Sequence, residues 1–280
     1  MPELPDVETF RRYLDQHGLN RPIERTAVEA EEMLEAVTAQ GLGQRLKGRR
    51  LTHTRRHGKY LFAARDGPGG WLVLHFGMSG YLQALAADES PPKHTRMHLR
   101  FEDGGGLAYV AQRKLGTIGW ADDPDRFARS HELGPDALAV AREAFTAAAR
   151  AHRGGIKCWL MDQSALAGVG NIYSDEVLFQ AGVHPKRKGT DLDATEADRL
   201  YDALHAVMEA AIAAKADPGA LPQGYILPRR GEEAPCPRCG GNIEPIKACG
   251  RTAWYCPRCQ GRGCCGSMIL DTHEGGNLPP

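Results

Sequence analysis

MPELPDVE, residues 1–8, opens the chain. This stretch predicts the start of a helix and suggests a nucleophilic amine beside an acid. Initiator methionine is normally removed before proline, so the mature chain would begin with the secondary amine of Pro2, followed at once by the carboxylate of Glu3. Because an α-amino group has a pKa of about 8, roughly a tenth of it is nucleophilic at neutral pH. The pair therefore predicts a nucleophile beside an acid, and the plain alternative is a solvated terminus.

The same stretch begins a predicted helix that leads into a β-rich half. Pro5 suits a first helical turn, and Val7, Phe10 and Leu14 recur at helical spacing before Gly18. Apolar runs separated by Gly- and Asp-rich turns follow, which is typical of the short strands of a β-sandwich. The predicted strands cover residues 23–28, 60–64, 71–76, 98–101 and 107–111.

The second half of the chain is alanine-rich and helical. Helices are predicted over residues 140–151, 158–163, 172–181 and 195–216, and Pro- and Gly-rich linkers over 217–222 and 228–235. The fold class is thus α+β. We expect an N-terminal β-sandwich domain with flanking helices at 1–122, a helical domain at 130–222, a small metal-binding hairpin at 231–262 and a tail at 263–280.

Charge and hydropathy limit the classes of partner. Acidic and basic residues balance at 35 each, which by itself argues against a nucleic-acid binder. Local asymmetry matters more, because salt screens charges beyond about 8 Å, and residues 45–59 hold seven basic side chains and no acid. On composition alone, an ordinary solvated face is the more usual explanation of such a run. No apolar stretch of about 20 residues and no signal-peptide pattern are present, so we expect a cytoplasmic protein.

Four cysteines have the spacing of a metal site. The pattern is C-x2-C, sixteen residues, then C-x2-C, and four thiolates at this spacing suit a closed tetrahedral zinc site. We expect one structural Zn²⁺, which can supply on the order of 10 kcal/mol of folding free energy to a segment too small to fold alone. The expected ligands are Cys236, Cys239, Cys256 and Cys259, whereas Cys158, Cys249, Cys264 and Cys265 lack matching spacing and receive no metal role.

Five motifs resemble, in order, the formamidopyrimidine-DNA glycosylase and endonuclease VIII family. They are PELPDVE at 2–8, GKYLF at 58–62, HFGMSG at 75–80, GVGNIYSDEVLFQAGVHP at 168–185 and the terminal CPRC…CPRCQ. The resemblance implies a bifunctional DNA glycosylase with AP-lyase activity. It also implies that 130–222 is a helix-two-turn-helix domain and that the partner is double-stranded DNA containing damaged bases or abasic sites.

The resemblance also implies roles for single residues. Pro2 is the nucleophile, Glu3 the proton donor and Lys59 a lysine that grips a phosphate beside the damaged nucleoside. Met78 fills the gap left by a flipped nucleotide, and Arg113 pairs with the orphaned base. The implied phosphate ligands are Lys157, Asn171 and Arg251. From local sequence alone, Lys59 could be a surface lysine, Met78 a core methionine and Asn171 a helix cap.

Two departures from the family pattern leave the lesion open. One is AQRKLG at 111–116, where purine-specific members have a DPRRFG-like segment, so that Leu115 replaces an aromatic wedge. The other is the short link between the last helix and Cys236. Asp6 replaces a family glutamate, which is a conservative change and does not bear on the lesion. Oxidised purines are the expected substrates, with oxidised pyrimidines as in endonuclease VIII, or damaged-DNA binding without cleavage, as alternatives. We expect a monomer that associates with the nucleoid while it acts on DNA.

Overall fold

The computed structural model describes residues 1–231 and 234–261. The predicted tail at 263–280, with Cys264 and Cys265, lies outside the described residues, as do positions 232, 233 and 262. Within the part described, every helix is too short or too polar to span a bilayer.

The N-terminal half consists of two facing sheets. One has four antiparallel strands in the order β1-β7-β8-β6, and the other has five in the order β2-β9-β5-β4-β3, with only the β2–β9 pairing parallel. Large apolar side chains such as Phe76, Phe101 and Tyr109 fill the core with less than 2 % exposure. The strands are β1 (Ile23–Val28), β2 (Leu34–Glu35), β3 (Leu51–His57), β4 (Tyr60–Arg65), β5 (Trp71–His75), β6 (Tyr81–Leu85), β7 (Thr95–Phe101), β8 (Gly106–Val110) and β9 (Thr117–Ala121).

Helix α1 (Leu4–Gly18) joins this half to the helical half. Val7 and Leu14 pack in the core of the sheets, whereas Leu4 packs in the core of the helices. The backbone N–H of Leu4 donates to Gly168 O at 3.0 Å, in the loop before the helix that starts at Asn171. The N-terminus is therefore fixed where the two halves meet.

The helical half is built around one long helix. Leu200, Leu204 and Val207 lie on its buried stripe, as the sequence pattern predicted. The helices of the chain after α1 are α2 (Ala39–Leu46), α3 (Pro124–Ser130), α4 (Arg142–Ala151), α5 (Ile156–Met161), α6 (Asn171–Ala181) and α7 (Ala194–Ala213). Short 3₁₀ turns at Pro218–Ala220 and Leu227–Arg229 lie in the link to the C-terminal hairpin.

The C-terminal unit is a two-stranded antiparallel hairpin, β10 (Glu244–Ala248) and β11 (Arg251–Tyr255). It packs on α6 through an apolar cluster that includes Phe179, Ile226 and Ile243. The backbone N–H of Trp254 donates to Asp175 in α6 at 3.1 Å. The hairpin is thereby positioned beside the N-terminal end of α6.

The sequence pattern did not predict three of the longer strands, namely β3, β6 and β9. β3 has the sequence LTHTRRH, whose charges led us to treat the segment as a basic patch. In the structure, Arg56 is paired with Asp136, and Arg55 with Asp125. Much of the positive charge on β3 is thus neutralised within the protein, and the run of seven basic residues is not one free phosphate-binding face.

Candidate functional site

The carboxylate of Glu3 caps helix α6. It accepts hydrogen bonds from the backbone N–H groups of Gly170 and Ile172, both at 2.8 Å, and of Tyr173 at 3.1 Å. The first N–H groups of a helix lack partners within it, so an anion is favourable there. Glu3 is 1 % exposed, and burial raises its pKa, while Lys59 and the three N–H groups oppose that shift.

This arrangement excludes the alternative in which Asn171 is the cap of α6. The N-cap residue is Gly170, and Asn171 is the first helical residue. A Cβ at Gly170 would lie 2.4 Å from the carboxyl carbon of Glu3, so glycine is required for the close approach. The Asn171 amide instead donates to Thr252 O of the hairpin at 3.3 Å. Asn171 thus joins α6 to the hairpin and is half-buried.

A cavity of about 490 Å³ opens beside the N-terminus. Pro2 and Asp6 form one wall, and Met78 of the loop after β5 forms another. The link before the hairpin closes the far side with Leu227 and Arg230. The cavity thus joins the predicted nucleophile to the sandwich, the helical half and the link that precedes the hairpin. Its remaining lining residues are Met1, Ser79, Gly80, Ile172, Tyr173, Ala216 and Pro218.

Asp6 stabilises the backbone of Glu3. Its Oδ2 accepts from the Glu3 N–H at 2.9 Å, which forms a capping box at the start of α1. Burial raises the pKa of Asp6, and its hydrogen bond with the Glu3 backbone opposes the rise. Asp6 therefore performs a structural role that a carboxylate on a shorter side chain can fill.

Lys59 lies in the tight turn between β3 and β4 and is 8 % exposed. Burial lowers its pKa, the carboxylate of Glu3 opposes that shift, and Arg251 adds to it. Lys59, Glu3 and Arg251 are thus close enough to interact electrostatically. The preceding Gly58 has a φ of +55°, and a Cβ there would meet Ala167 at 2.8 Å. Lys59 is therefore held inward and is not the surface lysine that its local sequence allowed.

His75 belongs to the same region and was not among the sequence candidates. Burial and the nearby Lys59 lower its pKa to about 4, so the imidazole is neutral at physiological pH. Its ring lies 4.9 Å from that of Tyr60. A histidine at the end of a strand has no spacing signal in sequence, and only the HFGMSG match could have drawn attention to it.

Met78 and Arg113 lie on neighbouring exposed loops. Met78 is 41 % exposed, so it is not a core methionine, and an Arg113 guanidinium N–H lies 3.5 Å from its sulfur. The backbone N–H of Arg113 donates to Ser79 at 3.3 Å. Leu115, 57 % exposed, lies two residues further on. The structure thus brings together the two predicted DNA-contacting side chains and an apolar neighbour at the surface.

Lys157 is placed differently from the expectation. It is 0 % exposed, and its ammonium donates to Asn171 O at 3.1 Å, Ser174 Oγ at 2.6 Å and Asp175 Oδ1 at 2.7 Å. An ammonium has three donor hydrogens, so all are used inside the protein. Asp175 also accepts from Arg230 at 2.8 Å. Lys157 is therefore a centre of interactions beneath the surface, and no phosphate reaches its ammonium in this arrangement.

The four expected metal ligands converge. The Sγ atoms of Cys236, Cys239, Cys256 and Cys259 all lie within 4.8 Å of one another. Zn–S bonds of about 2.3 Å in a tetrahedron place sulfurs about 3.8 Å apart, and the Cys236–Cys259 and Cys239–Cys256 pairs lie at 3.8 and 3.5 Å. The donor set fits one structural Zn²⁺, and four thiolates leave no open coordination position for catalysis.

The structure also pairs two cysteines that sequence spacing left unassigned. Cys158 of α5 and Cys249 of the hairpin turn form a disulfide. A separation of 91 residues gives no local signal, so the pairing could not be predicted from spacing.

Comparison with known proteins matches three separate stretches of the chain to family models. Three family models match: the formamidopyrimidine-DNA glycosylase N-terminal domain at residues 1–118, its H2TH domain at 133–220, and the zinc finger found in FPG and IleRS at 234–261. Curated relatives named formamidopyrimidine-DNA glycosylase include those of Halorhodospira halophila and Synechococcus elongatus. Each is 37 % identical over 93 % of this chain, covering 100 % and 97 % of the relative.

Solved structures with the same fold include the Lactococcus lactis formamidopyrimidine-DNA glycosylase with bound DNA. Its complex with N7-benzyl-Fapy-dG DNA has a TM-score of 0.85 at 28 % identity. Its complex with abasic-site DNA has a TM-score of 0.84 at 30 % identity. Each comparison covers 93 % of this chain and 100 % of the other.

The fold and site define a three-part DNA glycosylase: a sandwich, a helix-two-turn-helix domain and a four-cysteine finger, with a cavity lined by the first two and by the link to the finger. The chain belongs to the formamidopyrimidine-DNA glycosylase family. This confirms the family, the α+β fold class, the enzyme class and the structural zinc expected from sequence.

Proposed function

We propose that the protein excises oxidised purines, such as formamidopyrimidine and 8-oxoguanine, from double-stranded DNA and then cleaves the strand. The observation that supports this most is that Pro2 lines the cavity directly beside Glu3, a buried carboxylate whose pKa burial raises. A buried acid with a raised pKa holds its proton more readily than an exposed glutamate, which suits a proton donor. Relatives that cover the same length are named formamidopyrimidine-DNA glycosylase.

The damaged nucleotide must leave the duplex before Pro2 can reach its sugar. The lone pair of the Pro2 nitrogen attacks the anomeric carbon as the bond to the base breaks, and the proton that the Pro2 nitrogen loses neutralises the departing base. Glu3 donates a proton to the ring oxygen, the ring opens and an iminium forms, since a secondary amine needs no further activation. Successive β- and δ-eliminations then expel the phosphates on the two sides, and Glu3 moves the protons.

Phosphate contacts fix the geometry of this attack. Arg251 is exposed at the start of β11, and its charge acts on the partly buried Lys59. Asn171 is half-buried at the start of α6 and is bound to the hairpin. We assign Lys59, Asn171 and Arg251 to the phosphates that flank the lesion. Lys157 holds the start of α6 from below and acts as a positioning residue.

The remaining site residues contact the space that the extruded nucleotide leaves in the duplex. Met78 and Arg113 lie side by side on exposed loops, so Met78 can fill the space of the extruded nucleotide while Arg113 pairs with the opposite base. Leu115 is an apolar wedge beside them. We propose that the protein acts as a monomer in the cytoplasm and associates with the nucleoid during repair.

Borohydride trapping tests the proposed chemistry. Reduction of the iminium should attach the protein covalently to DNA that contains an abasic site or 8-oxoguanine, and Pro2→Gly should abolish the adduct. Mass spectrometry of the active protein should show Met1 absent. Unchanged trapping by Pro2→Gly, or full activity with Met1 retained, would show that another group is the nucleophile.

An endonuclease VIII-like preference for oxidised pyrimidines is the second candidate. It is favoured by AQRKLG at 111–116 and by the short link, although the 3₁₀ turn Leu227–Arg229 of that link still adjoins the cavity wall. A solved Lactococcus lactis complex contains oxidised-pyrimidine DNA. Parallel assays on 8-oxoguanine, formamidopyrimidine and thymine glycol duplexes distinguish the two. Absence of cleavage on all three would instead indicate a non-catalytic damaged-DNA binder.

A further inference from the structure

The Cys158–Cys249 disulfide joins the helical domain to the turn of the zinc-finger hairpin. The two Cα atoms are 5.4 Å apart, within the range that a disulfide spans without backbone movement. Neither sulfur belongs to the four-cysteine metal site. The bond therefore adds a covalent connection to the hydrogen bonds and apolar contacts that already hold the hairpin on α6.

Each cysteine is close in sequence to a residue that matters for the proposed DNA-binding site. Cys158 follows Lys157, whose ammonium holds Asn171 O and Asp175. Cys249 is followed by Gly250 and then by Arg251, the exposed first residue of β11. Fixing the turn consequently fixes the backbone from which Arg251 extends.

The backbone conformation at Cys249 is a second, independent indication that this cysteine occupies the turn because of its disulfide bond. Cys249 has a φ of 54° and Gly250 a φ of 67°, so both central residues of this two-residue turn are left-handed. Such turns strongly prefer Asn-Gly or Gly-Gly, because other L residues adopt the left-handed region unfavourably. A cysteine at this position is a poor choice for the turn itself. Its presence is explained by the bond that its sulfur makes to α5.

Neither cysteine of the disulfide is fully buried, and among the metal ligands Cys239 is exposed. Cys158 and Cys249 are half-buried, whereas Cys236 and Cys256 of the metal site are 3 % and 0 % exposed. A small thiol can therefore reach the disulfide more readily than it can reach these two metal ligands.

We propose that Cys158 and Cys249 form a redox-sensitive clamp that holds the hairpin turn, and with it Arg251, on helix α5. In the oxidised form the hairpin is already ordered before DNA binds, so DNA binding does not carry the entropic cost of ordering it. The reduced form leaves the turn attached only by non-covalent contacts and binds DNA more weakly. The effect on DNA rests on the phosphate-binding role proposed above for Arg251. Oxidants that damage bases would thus also close the clamp.

The chemistry is thiol–disulfide exchange with a small disulfide such as glutathione disulfide. One protein thiolate attacks that disulfide, forms a mixed disulfide and releases one small thiolate. The second protein thiolate then attacks the protein sulfur of the mixed disulfide and releases the other small thiol. The two cysteines together lose two electrons and two protons, and the small disulfide is reduced to two thiols. Excess small thiol reverses both steps.

The test compares the zinc-loaded full-length protein in reduced and oxidised glutathione buffers. Alkylation followed by mass spectrometry reports the state of the two thiols, and zinc content is measured in every sample. Fluorescence anisotropy gives Kd for a duplex with a non-cleavable abasic analogue. Hydrogen exchange reports the protection of the backbone amides at 247–252. Cys158→Ser/Cys249→Ser removes the clamp, and Cys249→Gly removes it while suiting the left-handed turn.

We expect oxidised protein to bind roughly threefold to tenfold more tightly than reduced protein, with slower exchange at the turn. Both variants should match the reduced protein in either buffer. The proposal is overturned if the two thiols stay free in fully oxidised glutathione, or if Kd and exchange do not change when they pair. Borohydride trapping, measured in parallel, reports the proposed catalytic function separately, because it requires Pro2 and not the clamp.

Discussion

Glu3 and Gly170 are 167 residues apart in sequence, yet the Glu3 carboxylate accepts the Gly170 N–H at 2.8 Å. This contact places the acid of the N-terminus at the positive end of helix α6. Burial of the carboxylate raises its pKa more than the helix and Lys59 lower it. The acid is therefore held by three backbone N–H groups, and its pKa lies above that of an exposed glutamate.

Gly170→Ala should disable the site by steric displacement of Glu3. The new Cβ would lie 2.4 Å from the Glu3 side chain, and the backbone at Gly170 (φ −129°, ψ −160°) is extended, so conformational preference is not the cause. A displacement of about 1 Å costs about 100-fold in rate. We expect single-turnover excision to fall by about that factor. Circular dichroism should show an unchanged fold.

Gly155→Ala is the matched control. Gly155 is the N-cap of α5, and a Cβ there meets its nearest atom at 3.7 Å, an ordinary contact. Its excision rate should stay within about twofold of the unmodified protein, since isolated surface changes cost little. Equal losses in both variants would mean that the Glu3 contact is not what positions the acid.

Periodicity and motif order predicted more of the fold than of the site. Strand β1 was predicted to the residue and helix α7 to within three residues at its C-terminal end, because their apolar side chains follow a regular pattern. β3 was missed because its outward charges obscured the alternation, and those charges are neutralised by Asp125 and Asp136 far along the chain. Such pairings depend on tertiary structure, which local pattern does not contain.

The site shows the same limit. The spacing of the four zinc ligands is local, so it could be predicted from the sequence, and the cysteines converge. Three other features depend on contacts between separate segments of the chain. They are the buried pair of Lys157 with Asp175, the cap that Glu3 supplies to α6, and the Cys158–Cys249 bond. A motif match identified Lys157 but could not show that its ammonium faces inward.

Lys157→Met should destabilise the protein. Lys157 and Asp175 are both 0 % exposed and joined at 2.7 Å, and loss of one partner of a buried pair typically costs about 3 kcal/mol. We expect urea unfolding to show a loss of about that size. Lys188→Met, at an exposed lysine, should change stability by less than about 0.5 kcal/mol. A stable Lys157→Met protein with weakened DNA binding would instead support direct phosphate contact.

Glu176 should make stability depend on pH. It is 0 % exposed and accepts from Leu227 N at 2.8 Å, and burial raises its pKa to about 7 from 4.5. Because the folded pKa lies above the unfolded one, its stabilisation is complete at low pH and disappears as pH rises through about 7. From about pH 5 to pH 8 the loss should be about 2 kcal/mol.

Glu176→Gln should remove this dependence, since a glutamine can still accept from the link but does not titrate. The measurement is the free energy of unfolding at several pH values for the unmodified protein, Glu176→Gln and Glu209→Gln, whose side chain is exposed on α7. The Glu209 variant should keep the slope of the unmodified protein. Parallel slopes for all three proteins would show that Glu176 does not titrate in this range.

Arg251→Ala should weaken DNA binding in a salt-dependent manner. Arg251 is exposed beside the partly buried Lys59, and each phosphate contact contributes about 0.9 to the slope of log K against log salt for duplex DNA. We expect that slope to fall by about 1 and the affinity to fall for damaged and undamaged duplexes alike. Arg25→Ala, at an exposed position of β1, removes the same charge far from the hairpin and should leave the slope unchanged. If the two variants changed the slope equally, Arg251 would contribute only to the overall field of the protein, and the phosphate contact assigned to it would be wrong.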